Sequence, residues 1–144
     1  MKIKILLILS VACTAFITGC SLTSEKRSTS PHFDGVIKFS NNAVNNARIM
    51  LSSEPDDKQC LKAKKFATTN AQGQFSLKAI FEDASFKPFA SYELDEWNIC
   101  VEYQGNTYSL YSNNRYGSGN VTGSIYLECE LALRPANKPC IISH

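Results

Sequence analysis

Two histidines, His32 and His144, are the whole imidazole content of this 144-residue sequence. Nucleophilic and acid-base catalysis usually recruits histidine because its proton exchanges near neutral pH. His32 ends a polar stretch and His144 is the last residue, so a Ser-His-Asp set is disfavoured. Carboxylates gather beside an aromatic ring where Glu93, Asp95 and Glu96 precede Trp97. Paired acids cleave glycosidic bonds when one supplies a proton and the other acts as nucleophile or base. No second, distant acid stands out, and a solvated loop before a strand accounts for the group. Asp56 and Asp57 follow Pro55 without the spacing of an EF-hand, so a Pro-Asp-Asp turn explains them. Lys58, Lys62, Lys64 and Lys65 form a basic run that fits an acidic or lipid partner, or an edge strand guarded by lysine. None of the six cysteines forms a CxxC pair, which makes a zinc site a poor fit. No catalytic residue, metal site or cofactor is expected.

The N-terminus carries Lys2 and Lys4, followed by an apolar run from Ile5 to Ile17, the n-region and h-region of a secretory signal. As a helix this run spans about 20 Å, short of the roughly 30 Å hydrocarbon core of a bilayer. Ile17-Thr18-Gly19-Cys20 follows directly and resembles the lipobox of bacterial lipoproteins. The resemblance implies a signal peptide over 1–19 and an acylated Cys20 that becomes the N-terminus. Two or three acyl chains hold such a protein stably on a membrane. By resemblance to Gram-negative lipoproteins, Ser21 rather than Asp after the cysteine implies sorting to the outer membrane, and the periplasmic face is expected. Without Lys2 and Lys4 the 15 basic residues fall to 13, equal to the 13 acidic ones. A neutral mature chain gives no support for nucleic-acid binding.

With Cys13 in the signal and Cys20 lipidated, Cys60, Cys100, Cys129 and Cys140 remain, and an oxidising compartment reads four cysteines as two disulfides. Three pairings are possible. Ser21 to His32 has no apolar period, so 20–32 reads as a lipidated flexible tether and 33–144 as the folded domain. Within that domain the hydrophobic period is two. Phe33, Gly35, Ile37 and Phe39 share a face, as do Ala47, Ile49 and Leu51. Phe75, Leu77, Ala79 and Phe81 form a third set, and Trp97, Ile99, Val101 and Tyr103 a fourth. Gly105-Asn106 signals a two-residue hairpin into 107–112. Val121, Gly123, Ile125, Leu127, Cys129, Leu131 and Leu133 form the longest inner face. Seven or eight strands imply an all-β sandwich, with 82–94 as a short helix or long loop. Cys100 then points outward, opposite Trp97 and Ile99, and favours Cys60 on an outside loop. Cys129 is left for Cys140, on a tail folded over the sandwich edge.

Gly35-Val36, Asn46-Ala47-Arg48-Ile49-Met50-Leu51 and Thr68-Thr69-Asn70-Ala71-Gln72-Gly73-Gln74-Phe75 resemble the carboxypeptidase regulatory-like, or transthyretin-like, domain. The resemblance covers about 45 residues and fades after Ile80. It implies a prealbumin-like sandwich of seven strands, used for binding or structure and seldom for catalysis. A transthyretin-like outer-membrane lipoprotein also serves bacterial type VI secretion, a likeness of fold alone.

The segment from Tyr108 to Asn120 is rich in Tyr, Ser, Asn and Gly with one Arg, the composition of a binding loop. A long polar hairpin has the same composition, and both readings stand. As a binding loop it offers Tyr108, Tyr111, Asn114, Arg115 and Tyr116 as partner contacts, with side chains outside the core. The expected function is non-enzymatic binding of a periplasmic protein, first as an immunity-type lipoprotein that neutralises a toxin or hydrolase. The alternative is an assembly or structural component of a secretion system or envelope. A peptidoglycan or lipid hydrolase ranks behind both.

Overall fold

A computed structural model describes residues 26–83, 94–116, 122–134 and 139–143. Alternating side chains turn these segments into eleven strands, with no helix among the described residues. They are β1 (Lys26–Ser28), β2 (His32–Phe39), β3 (Asn42–Ala43), β4 (Arg48–Ser52), β5 (Lys65–Thr68), β6 (Gln74–Leu77), β7 (Phe81–Asp83), β8 (Leu94–Tyr103), β9 (Asn106–Tyr116), β10 (Ser124–Glu130) and β11 (Cys140–Ser143).

The strands form an all-β sandwich. One sheet runs β11-β10-β2, and the far side of β2 is shared by β6 opposite residues 33–36 and β3 opposite 38–39. Among the described residues only the β2–β10 pairing is parallel. The facing sheet runs β5-β4-β8-β9. Between them lies one apolar core, with Phe33, Ile37, Leu77 and Leu127 from the first sheet and Ile49, Trp97, Ile99 and Val101 from the second. A two-stranded ribbon, β1 with β7, completes the fold.

Several expectations need correction. Residues 26–32 are not tether: β1 pairs with β7, Ser28, Thr29 and Ser30 are buried, and β2 starts at His32. What holds them is polar. The Ile80 N–H donates to Ser30 Oγ at 2.9 Å, and the Thr29 N–H donates to the Ile80 carbonyl at 2.9 Å. The alternation expected through Phe81 stops after Leu77, so Ile80 takes the buried place and Phe81 is 59% exposed. Leu133 is 63% exposed because β10 ends at Glu130 and the chain turns. The hairpin turn is Gln104-Gly105, one residue earlier than expected, with both φ angles positive as a two-residue turn of that hand requires. The C-terminal tail extends its sheet as β11 instead of lying over the edge. Of 82–94, residues 82 and 83 belong to β7 and 94 to β8, while 84–93 lie outside the described residues.

Glu130 locks the end of the first sheet. Its carboxylate accepts the backbone N–H groups of Ser40 and Asn41 at 2.8 Å each and of Ala132 at 3.1 Å. Burial pushes its carboxyl up, but the N–H donors of Asn41, Ala132 and Ser40 outweigh it and leave the group below its ordinary value of 4.5. A carboxylate held low when folded stabilises the protein above the unfolded value, and that share is lost as pH falls through the folded value. Glu130→Gln is expected to cost roughly 1–3 kcal/mol at pH 7, the scale of hydrogen bonds to a charged group. Urea titrations of both proteins at pH 7 and pH 3 check this, since the gap should narrow in acid.

Candidate functional site

Among the described residues, the nearest approach to a catalytic constellation lies on the outer face of the first sheet. Tyr126, Asp34 and Ser76 stand side by side across β10, β2 and β6. His32 Nε2 lies 3.1 Å from Asp34 Oδ2 and 3.3 Å from Ser76 Oγ. Serine, histidine and aspartate are therefore in reach of one another, but both oxygens address the same ring nitrogen. A hydrogen on Nε2 that serves Asp34 leaves no lone pair there to take the serine proton, whereas a nucleophilic triad divides these tasks between the two nitrogens. The group is a surface hydrogen-bond cluster beside a groove of about 700 Å³.

The acidic cluster does not form a pair either. Asp95 and Glu96 are neighbours on β8, so their side chains leave opposite faces of the strand. They are also buried, which the expectation of a solvated loop missed. Asp95 takes a two-pronged ion pair from Arg27, at 2.8 and 3.1 Å, while Glu96 accepts from Asn98 Nδ2 at 3.2 Å. Glu93 lies outside the described residues. Asp57 works as a turn acid, accepting the N–H groups of Leu61 at 2.9 Å and Lys62 at 2.8 Å. Among the described residues no three metal-donor side chains come together.

Of the basic run, Lys64 is engaged rather than free. Its Nζ lies 2.7 Å from Glu82 and 2.9 Å from Glu54. The Glu82 hydrogen bond leads in holding the Lys64 ammonium above its ordinary range, and Lys64 in turn holds the Glu54 carboxyl down. Lys65 opens the short edge strand β5, where a lysine discourages pairing with another chain.

All four remaining cysteines are paired, Cys60 with Cys100 and Cys129 with Cys140. Cys129 and Cys140 face each other directly across β10 and β11. Cys100 leaves the core face as the parity of β8 requires, yet it is fully buried. The 53–64 loop folds over it and packs Cys60, Met50 and Ala63 into a second small cluster.

The expected binding loop is mostly strand. β9 runs to Tyr116, with 117–120 outside the described residues. Two residues of β9, Leu110 and Tyr111, oppose Ile99 alone, and this bulge turns both toward the core. Tyr108 and Tyr111 accordingly pack on the core, the Tyr111 ring meeting Phe33 edge-on at 6.3 Å between centroids. They are not free loop side chains. Asn114, Arg115 and Tyr116 continue the strand opposite Glu96, Asp95 and Leu94. Composition does not separate a binding loop from a long polar hairpin, and periodicity alone does not reveal a bulge.

A family model matches residues 33–133, more than two thirds of the chain, and its description is a domain of unknown function, DUF6795. The chain belongs to that family. The DUF6795 span opens at Phe33, the first core residue of β2, and closes at Leu133, just beyond β10. β1, with the Arg27 ion pair, and β11, with Cys140, lie outside the DUF6795 span. No curated protein matches the sequence.

Proposed function

We propose that this chain is a non-enzymatic lipoprotein, anchored through Cys20 to the periplasmic face of the outer membrane, that binds a protein along the outer edge of β9. The observation that carries the binding reading is that edge. β9 has eleven residues, ends its sheet among the described residues, and contains neither lysine nor proline. Natural edge strands of that length are usually shortened, charged or covered, because their unpaired N–H and C=O groups recruit another strand. The bulge interrupts it once and leaves 111–116 as a continuous stretch for an extended segment of a partner, with Arg115 and Tyr116 as anchors. The two disulfides support an oxidising compartment. A toxin or hydrolase held inactive is the partner class we favour, and a secretion or envelope component is the alternative.

The test is capture of the partner by tagged mature protein from periplasm, repeated with Ser112→Lys and with Arg115→Ala. Each variant is checked for folding by urea melt. The lysine on the strand edge and the loss of Arg115 are each expected to weaken capture by a factor of about 5 to 150, equivalent to roughly 1–3 kcal/mol. Full capture by both folded variants rules out the β9 edge. Tyr111→Ala behaves differently, since its ring packs on Phe33, and loses folded stability along with binding. Cys20→Ser checks the anchor, with a soluble or uncleaved protein in place of an outer-membrane one as the expected result.

A further inference from the structure

We propose that the β1–β7 ribbon is the surface this protein lays on the phospholipid bilayer, with Phe81 seated at the lipid interface. The inference rests on acylation of Cys20 and adds an orientation to it. A tether running to His32 would let the domain wander about 40 Å from its anchor, at roughly 3.3–3.6 Å per residue. The described fold instead already includes Lys26, six residues from Cys20, so the reach is at most about 20 Å. β1 is also fixed to the body. It pairs with β7 in the register Lys26 with Asp83, Arg27 with Glu82 and Ser28 with Phe81. The Arg27–Asp95 ion pair, with both side chains largely buried, then ties it to β8. The anchor thus lies within about 20 Å of a corner that is fixed to the body, which makes this corner the part of the described fold held nearest the bilayer.

What lies there has the chemistry of an interface. Phe81 leaves more than half of its surface uncovered on a strand of three residues. It borders a groove of about 370 Å³ with Lys26, Ala79, Thr122 and Gly123. An aromatic ring suits the boundary between headgroup and acyl chain, and a lysine beside it keeps its ammonium among the phosphates while its stem lies on apolar surface. Exposed Asp83 sits across from Lys26, so the face is nearly neutral and fits a zwitterionic surface. β2 and β8 carry the chain away from this end, and Phe39 meets Tyr103 at the other, ring centroids 5.7 Å apart. Eight residues of β2 place that end about 25 Å farther from the bilayer.

The experiment uses the lipidated protein in phosphatidylcholine vesicles with brominated acyl chains, which quench nearby indoles. Phe81→Trp and Thr107→Trp each add one reporter to the buried Trp97, the second at the far end of the sandwich. The Phe81→Trp signal is expected to fall at least twofold more than that of Thr107→Trp. Intact mass of the purified protein reports the acyl chains independently. An acylated protein whose two reporters are quenched alike overturns the seating and leaves the anchor standing. A protein without the lipid mass overturns both.

Discussion

Gly35→Val is expected to unfold at much lower urea concentration than wild type, with a loss of roughly 3 kcal/mol or more, the upper range of overpacking. Gly35 sits in a row across three strands, between Leu127 on β10 and Phe75 on β6. A Cβ added there falls onto the Leu127 carbonyl oxygen and 2.8–2.9 Å from the Phe75 ring. Neither neighbour yields easily, because Leu127 is held within the β2–β10 ladder and Phe75 is buried in the core. Gly35 keeps ordinary strand φ, so the cost is one of space. Gly105→Ala is the matching control. Its φ is +77° with nothing within 4 Å of the added carbon, so it pays only for backbone conformation, about 1–2 kcal/mol. If Gly35→Ala costs no more than Gly105→Ala, the row has slack and the valine prediction fails with it.

The same glycine shows what could be read from the sequence. Phe33, Gly35 and Ile37 alternate with Asp34, Val36 and Lys38, and the structure puts the first three on the inner face. Ile49, Leu51, Trp97, Ile99, Leu127 and Cys129 were legible for the same reason, and face parity favoured the observed cysteine pairing among the three possible ones. The rest is long-range. β1 has no apolar pattern, and its place is set by Arg27 finding Asp95 across 68 residues and by serines bonding to backbone. The bulge at Leu110 and Tyr111 exists only relative to Ile99 on the next strand. The His32, Asp34 and Ser76 cluster was missed because Ser76 lies 44 residues from His32, and only the antiparallel pairing of β2 with β6 brings them together. In the sequence His32 only ends a polar stretch, whereas in the fold its Nε2 is shared between Asp34 and Ser76.

Removing the Cys60–Cys100 bridge by the double substitution Cys60→Ala and Cys100→Ala is expected to cost about 4 kcal/mol. Removing Cys129–Cys140 in the same way should cost about 3 kcal/mol. The numbers follow from the closed loops, 40 residues against 11, through the entropy each crosslink removes from the unfolded chain. For a domain whose whole stability is of order 5–15 kcal/mol, either loss is large. The native state widens the difference. Cys129 and Cys140 join neighbouring strands already paired through four residues, so β11 has its own ladder to hold it. Cys60 lies in a loop without strands, held otherwise by the Asp57 turn and by Lys64 between Glu54 and Glu82. Those ties are solvent-exposed ion pairs and turn bonds, each worth about 1 kcal/mol or less. Without the bridge the loop lifts, and the cluster of Met50 and position 100 on the outer face of β4 and β8 meets water. Urea melts should show the larger fall for the first pair and a steeper slope, since the uncrosslinked chain exposes more surface on unfolding. Faster amide exchange at Met50 is expected in that variant alone. If the Cys129–Cys140 variant proves the less stable of the two, loop length does not govern the stabilisation and the β10–β11 ladder is weaker than its four paired residues imply.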